Sequence, residues 1–159
     1  MIWPARLAQP TDHAALAALW HQGWHDGHGA HTPAVVVAAR TADYFLAKTP
    51  GLGSGLRVAG PPGQPLGMCL TDGDEIDLLF VVPAARGTGL AAGLLADGES
   101  RLLAAGIKDA RLVCVTGNLR AMRFYQRAGW QALRELAVPA DGFDPPVMLD
   151  VTEFGKRLG

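Results

Sequence analysis

One segment constrains this chain more than any other. From Leu78 it reads Leu-Leu-Phe-Val-Val-Pro-Ala-Ala-Arg-Gly-Thr-Gly-Leu-Ala, ending at Ala91. An apolar strand stops at Pro83, a short loop follows, and two glycines open a helix that reaches about Ala105 and is closed by Gly106. The first amides of a helix have no partner inside it, and the helix dipole lies behind them. Glycines let that backbone approach a ligand closely, and Arg86 adds positive charge. The segment therefore predicts a strand–loop–helix unit built to receive an anion, with two consecutive phosphates as a good fit.

Several ligand classes use such a loop. A Walker P-loop needs Gly-Lys-Ser/Thr, and here Gly89 is followed by Leu90-Ala91, which excludes it. Gly87-Thr88-Gly89-Leu90-Ala91-Ala92 does match G-x-G-x-x-A. A dinucleotide site would also want an acidic residue at the end of the next strand. That strand, Arg111 to Val115, runs into Thr116-Gly117-Asn118 instead. A dinucleotide-binding protein thus stays as a minor alternative.

The surrounding pattern extends the prediction. Ile2 to Leu7 reads as a strand, and Thr11 or Asp12 caps a helix through Ala14, Leu16, Leu19 and Trp20. The His- and Gly-rich stretch from His21 to His31 breaks that helix, and Thr32-Pro33 opens a second one reaching Lys48. Strands at 56–59, 66–71 and 75–82 are separated by Gly60-Pro61-Pro62-Gly63 and Asp72-Gly73-Asp74. After the 111–115 strand, Asn118 caps a helix ending at Gly129, and strands at 130–138 and 147–151 close the chain. The expected fold is α/β (α+β): a mixed, mainly antiparallel sheet of six to seven strands with helices on both faces, one domain over residues 1–159.

Composition excludes little. A net charge of −1 gives no reason to expect a nucleic-acid or anionic-membrane partner. No apolar run approaches the ~18–20 residues of a membrane span, and the N-terminus lacks the regions of a signal peptide, so the expectation is a cytoplasmic protein. Cys69 and Cys114, the two cysteines, read as buried reduced thiols.

With the loop in view, the pattern Val-x-Pro-x-x-Arg-Gly-x-Gly-x-Ala resembles the acetyl-CoA signature of the GNAT superfamily of N-acetyltransferases, Q/R-x-x-G-x-G/A, with Arg86, Gly89 and Ala91 at its fixed positions. A second block, Asn118 to Trp130, resembles that family's N-x-x-A-x-x-F-Y-x-x-x-G-F/W. The likeness is clear over roughly residues 56–130 and topological elsewhere.

The resemblance implies transfer of an acetyl group from acetyl-CoA, as cosubstrate, to a primary amine of a small molecule or peptide. It implies that the strand carrying Leu79, Phe80 and Val81 splays from its neighbour to admit pantetheine. Amides of Arg86, Gly87, Thr88, Gly89, Leu90 and Ala91 would hold the pyrophosphate, and Asn118 the pantetheine arm, unless Asn118 only caps its helix. Tyr125 is the candidate acid that returns a proton to the leaving thiolate; the plainer reading is a tyrosine that packs or bonds the cosubstrate. Glu75 and Asp77, two apart on one strand and hence on one face, are candidate bases for the acceptor ammonium, or simply a polar strand start.

His21, His25, His28 and His31 form a second cluster. Its glycines argue against a rigid ligand helix and no metal is expected. In the resembled fold this stretch borders the acceptor, which makes Trp24, His25 and His28 candidate substrate contacts beside the reading of an exposed loop. A homodimer is an open expectation. An acyl-CoA-binding module without turnover is the alternative function.

Overall fold

The computed structural model describes residues 3–159; the expected first strand begins outside them, at Ile2. The strands are β1 (Arg6–Leu7), β2 (Leu56–Ala59), β3 (Gly67–Asp72), β4 (Glu75–Val81), β5 (Asp109–Val115), β6 (Gln131–Pro139) and β7 (Met148–Arg157). The helices are α1 (His13–His28), α2 (Ala34–Ala39), α3 (Ala42–Lys48), α4 (Leu90–Ala104) and α5 (Leu119–Arg127). Together the strands make one seven-stranded sheet in the order β1-β2-β3-β4-β5-β7-β6. Every pairing is antiparallel except β4 with β5, so the mixed, mainly antiparallel sheet expected from the sequence is the one found.

Period-two alternation sends successive strand residues to opposite faces and builds two cores. Leu56, Val58, Met68 and Leu70 meet Leu16, Trp20, Trp24, Val36 and Phe45 of α1–α3. Ala59, Cys69, Leu112, Cys114 and Phe154 meet Leu94, Leu95 and Leu102 of α4, with Trp130 closing the α5 end. Both cysteines are buried and free. No helix of the described residues is long and apolar enough to cross a membrane.

Three local expectations are corrected. The His/Gly stretch does not break α1, which runs to His28. Gly23 and Gly27 face inward, where an added Cβ would lie 2.5 Å from Phe80 Cδ1 and 2.9 Å from Asn118 Nδ2. These glycines serve close packing, and the core contacts of the helix outweigh their poor helix propensity. The single helix expected over 32–48 is two, α2 and α3, because Thr41 adopts extended backbone and its hydroxyl accepts the Tyr44 N–H at 3.2 Å. At that break the Arg40 side chain turns into the protein. Finally, β7 runs to Arg157 rather than stopping at Val151. Its polar Glu153 is buried but satisfied: Arg111 Nε and Arg134 Nε each donate to it at 2.8 Å.

At the other end of the sheet, buried Asp12 accepts from Arg6 at 2.8 and 3.0 Å and from the amides of Gln9 and Gly63, each at 2.8 Å. It joins β1, the entry to α1 and the β2–β3 turn. The Arg6 bonds, followed by those amides, hold its carboxyl well below the ordinary range despite burial.

Candidate active site

Strands β4 and β5 pair in register only at Glu75 and Arg111 and separate beyond that point. The Val82 amide donates to Leu66 O at 2.8 Å. By antiparallel alternation the main-chain groups of Phe80 then also face β3, while those of Leu79 and Val81 face the gap. Two cavities meet at this gap.

The first, about 350 Å³, lies between α1, the glycine loop and α5. Its walls include Leu79, Phe80 and Val81, the loop residues Arg86, Gly87, Gly89 and Ala91, and Asn118 and Tyr125. Gly87 and Gly89 have φ of +74° and +87°, a left-handed backbone that side chains disfavour. Their conformation turns the loop so that the amides of Gly87, Gly89, Ala91 and Ala92 have no acceptor among the described residues, and all four residues line the cavity. The remaining loop amides are engaged locally. Arg86 N donates to Pro83 O, Thr88 N to Ala85 O, and Leu90 N to the Thr88 hydroxyl. Thr88 and Leu90 line a separate apolar hollow with Trp3 and Leu66. Ala92 is therefore an amide the sequence reading missed, although one more residue of the first helical turn was available to it.

Arg86 pairs with Asp26 of α1 at 3.0 Å, tying the loop to that helix. Arg120 and Arg127 on α5 also line the cavity. Both were missed, because only the tertiary position of α5 brings them beside the loop. Asn118 Oδ1 accepts the Ala121 amide at 3.3 Å and so caps α5, yet the residue also lines both cavities.

The second cavity, about 230 Å³, lies under α1–α3 against the sheet. Leu79, Phe80, Asn118, Ala121 and Tyr125 are walls of both cavities, which makes the gap a passage between them. Tyr125 sits at this junction. Burial pushes its phenol well above the ordinary value, so it is protonated at neutral pH.

Asp77 is the acidic residue on the wall of the second cavity, and the first has none among the described residues. It sits at a β-bulge. Leu70 faces Leu78 while Thr71 faces Ile76, leaving Asp77 as the extra residue. Asp77 is exposed overall, and its partial desolvation, helped by Asp72, raises its pKa. Glu75 lines neither cavity; it accepts from Arg111 at 3.1 Å at the closed end of the gap, and burial raises its pKa against that pairing.

Trp24 and His28 are walls of the second cavity, with rings stacked 4.9 Å apart at 5°. His28 Nδ1 lies 3.1 Å from Trp24 O, which makes it the donor and leaves Nε2 with a free lone pair. Burial lowers its pKa to about 4, so the ring is neutral at pH 7. His25 is not on the wall: its Nε2 donates to Arg40 O at 2.6 Å. His31 packs against Gly117. Among the described residues no three His, Cys, Asp or Glu side chains converge as metal ligands. Cys114 also reaches the second cavity, but burial raises its thiol to about 11, which keeps it protonated and unreactive.

Comparison with solved structures gives the fold a context. A GCN5-related N-acetyltransferase from Rhodopseudomonas palustris aligns with a TM-score of 0.77 at 22% identity, covering 99% of this chain and 97% of that one. The PaiA N-acetyltransferase from Thermoplasma acidophilum, solved in complex with coenzyme A, aligns at 0.67 and 14%, covering 96% and 98%. So does yncA from Salmonella typhimurium, solved with its cofactor acetyl-CoA, at 0.67 and 19%, covering 100% and 95%. At these identities the likeness speaks to the fold. No curated protein matches the sequence. The sequence itself carries the family: residues 54–144, more than half the chain and including β4, the glycine loop and α5, match the model of the acetyltransferase (GNAT) domain. A split between β4 and β5, a loop of open amides beside it and this match have one meaning, and the chain belongs to the GNAT acetyltransferase family.

Proposed function

We propose that this protein, as a single domain, transfers the acetyl group of acetyl-CoA to a primary amine of a small molecule. The observation that carries the reading is the set of four amides, on the cavity-lining residues Gly87, Gly89, Ala91 and Ala92, without an acceptor among the described residues. Such donors at a helix start suit a pyrophosphate, and Arg120 and Arg127 supply charge for further phosphate. The main-chain groups of Leu79 and Val81 at the open edge of β4 suit the amides of a pantetheine arm.

Acetyl-CoA supplies the thioester. The chain supplies donors, order and proton transfer. Leu79 N–H, fixed by the sheet and facing the gap, is placed to stabilise negative charge on a carbonyl oxygen. Tyr125, protonated and shared by both cavities, donates a proton to the departing sulfur. Asp77 receives the acceptor's ammonium, and its raised pKa brings it closer to the task of a base; His28 Nε2 is the neutral second acceptor on the same wall. The small volume of the second cavity, under the ~300–1,000 Å³ of drug-sized sites, favours a small amine over a protein segment.

The test is thermal unfolding with acetyl-CoA, NAD and ATP in parallel, followed by thiol release with a panel of amines. Acetyl-CoA at one hundred times its dissociation constant adds about 2.7 kcal/mol, or roughly 5–11 °C for a chain of this size. Gly89→Val, which puts a β-branched residue at positive φ and narrows the loop, should abolish that shift. A shift with NAD alone would overturn the reading. A shift with acetyl-CoA but no turnover of any amine would leave only an acyl-CoA-binding module.

A further inference from the structure

The second cavity has a cationic wall that the proposed chemistry does not use. Arg40, at the break between α2 and α3, is 6% exposed and lines the cavity. Its guanidinium carries five N–H donors, and among the described residues it makes one hydrogen bond, Nη2 to Asp141 O at 2.8 Å. The group lies 4.4 Å from the Tyr44 ring centroid and 5.6 Å from that of Phe143. These rings hold it in place without taking its protons. The Asp141 carboxylate nearby is engaged by Lys48 and by the Tyr44 hydroxyl.

Trp20 is 8% exposed and also lines this cavity; its indole N–H is buried and has no acceptor among the described residues. The wall thus carries an acid, Asp77, along with a buried cation that has donors to spare. The same wall carries Trp20, Trp24, Phe45, Leu78 and Phe80 beside the polar His28 and Asn118. The Arg40 nitrogens without a partner are not sealed from solvent, and a planar carboxylate matches such a fork with two parallel bonds.

Resting on the acetyl-transfer reading of this site, we infer that the acceptor is a small amino acid-like zwitterion: its carboxylate binds Arg40 and its ammonium faces Asp77 and the gap. Charge balance favours this class over simple alkylamines. A plain amine would satisfy Asp77 and leave Arg40 unanswered, whereas a zwitterion answers both.

The experiment compares pairs that differ only in the carboxylate: leucine with isopentylamine, phenylalanine with phenethylamine, and 5-aminovalerate with butylamine. Thiol release from acetyl-CoA gives kcat/KM for each. In the wild type the carboxylated member of at least one pair should be favoured by about 10- to 100-fold, as expected for a charge-assisted bidentate contact. In Arg40→Gln that ratio should fall to near one, and in Arg40→Lys, which keeps the charge without the fork, it should be intermediate. Because the ratio is taken within one protein, a partly unfolded variant does not distort it. Wild type that uses the carboxyl-free amines as well or better in every pair would overturn the inference.

Acceptor binding is read separately, as quenching of tryptophan fluorescence with coenzyme A at saturation. Quenching by carboxylated members alone, lost in Arg40→Gln, would support the inference even if turnover is absent and the acetyl-transfer reading fails. If no carboxylated member quenches and none is turned over, the inference is wrong, whatever acetyl-CoA does to the unfolding temperature.

Discussion

Tyr125 and Asp77 divide the proposed proton traffic, and each has a distinct signature. Tyr125→Phe removes a hydroxyl at the junction of the two cavities while keeping the ring packed 6.1 Å from Phe154. Turnover should fall by about 10²- to 10⁴-fold while the acetyl-CoA-induced rise in unfolding temperature is kept. A similar loss of that rise would mean that the hydroxyl binds the cosubstrate instead. For Asp77→Asn, kcat/KM should drop by about 10²-fold or more, and stability should move the other way. Partial desolvation raises the pKa of Asp77, an exposed residue, so its protonated form is modestly favoured in the fold. Its contribution to stability is present below the ordinary carboxylate pKa and is lost as pH rises through the raised value. Asp77→Asn should therefore unfold at a slightly higher temperature than wild type at pH 7, with the difference shrinking in acid. A variant both less active and less stable at pH 7 would mark Asp77 as structural.

Among the elements, α1 shows most clearly what a sequence reveals and what it withholds. Its buried positions Leu16, Trp20 and Trp24 recur every four residues and predict its inner face. Its continuation to His28 was hidden, since glycines are read as helix breakers unless something is known to press against them. Here Phe80 and Asn118, distant in sequence, do so. Gly23→Ala tests this. The methyl would gain about 1 kcal/mol of helix propensity and must displace Phe80, a wall of both cavities. The unfolding temperature of the free protein should change little, while the stabilisation by acetyl-CoA weakens several-fold. The glycine loop was legible for the opposite reason: its geometry is local, set by Pro83, Gly87 and Gly89 within a few residues. The bulge at Asp77 and the place of the α5 arginines were not, because register and packing are tertiary facts.

Across the whole molecule, the strands that part at the site are fastened at the opposite end. Arg111 on β5 bonds Glu75 of β4 and Glu153 of β7, and Glu153 also takes Arg134 of β6. The bond from Arg111, and then that from Arg134, holds the Glu153 carboxyl below its usual range. Its stabilising contribution is thus present above the ordinary glutamate pKa and lost as pH falls through the depressed one. Glu153→Gln should cost about 2–3 kcal/mol at pH 7, read in denaturant titrations, and less as the pH approaches 3. The equivalent loss at Asp12, where a buried carboxylate answers Arg6 and two amides, should be larger: Asp12→Ala at about 3–5 kcal/mol.

The passage through the sheet also has a kinetic consequence. The glycine-loop cavity and the Arg40 cavity have separate linings and share only the residues at the gap. Each reactant then has its own door, and neither needs to wait for the other to enter or leave. Initial-rate plots for the two substrates should intersect rather than run parallel, and coenzyme A should compete with acetyl-CoA without competing with the acceptor.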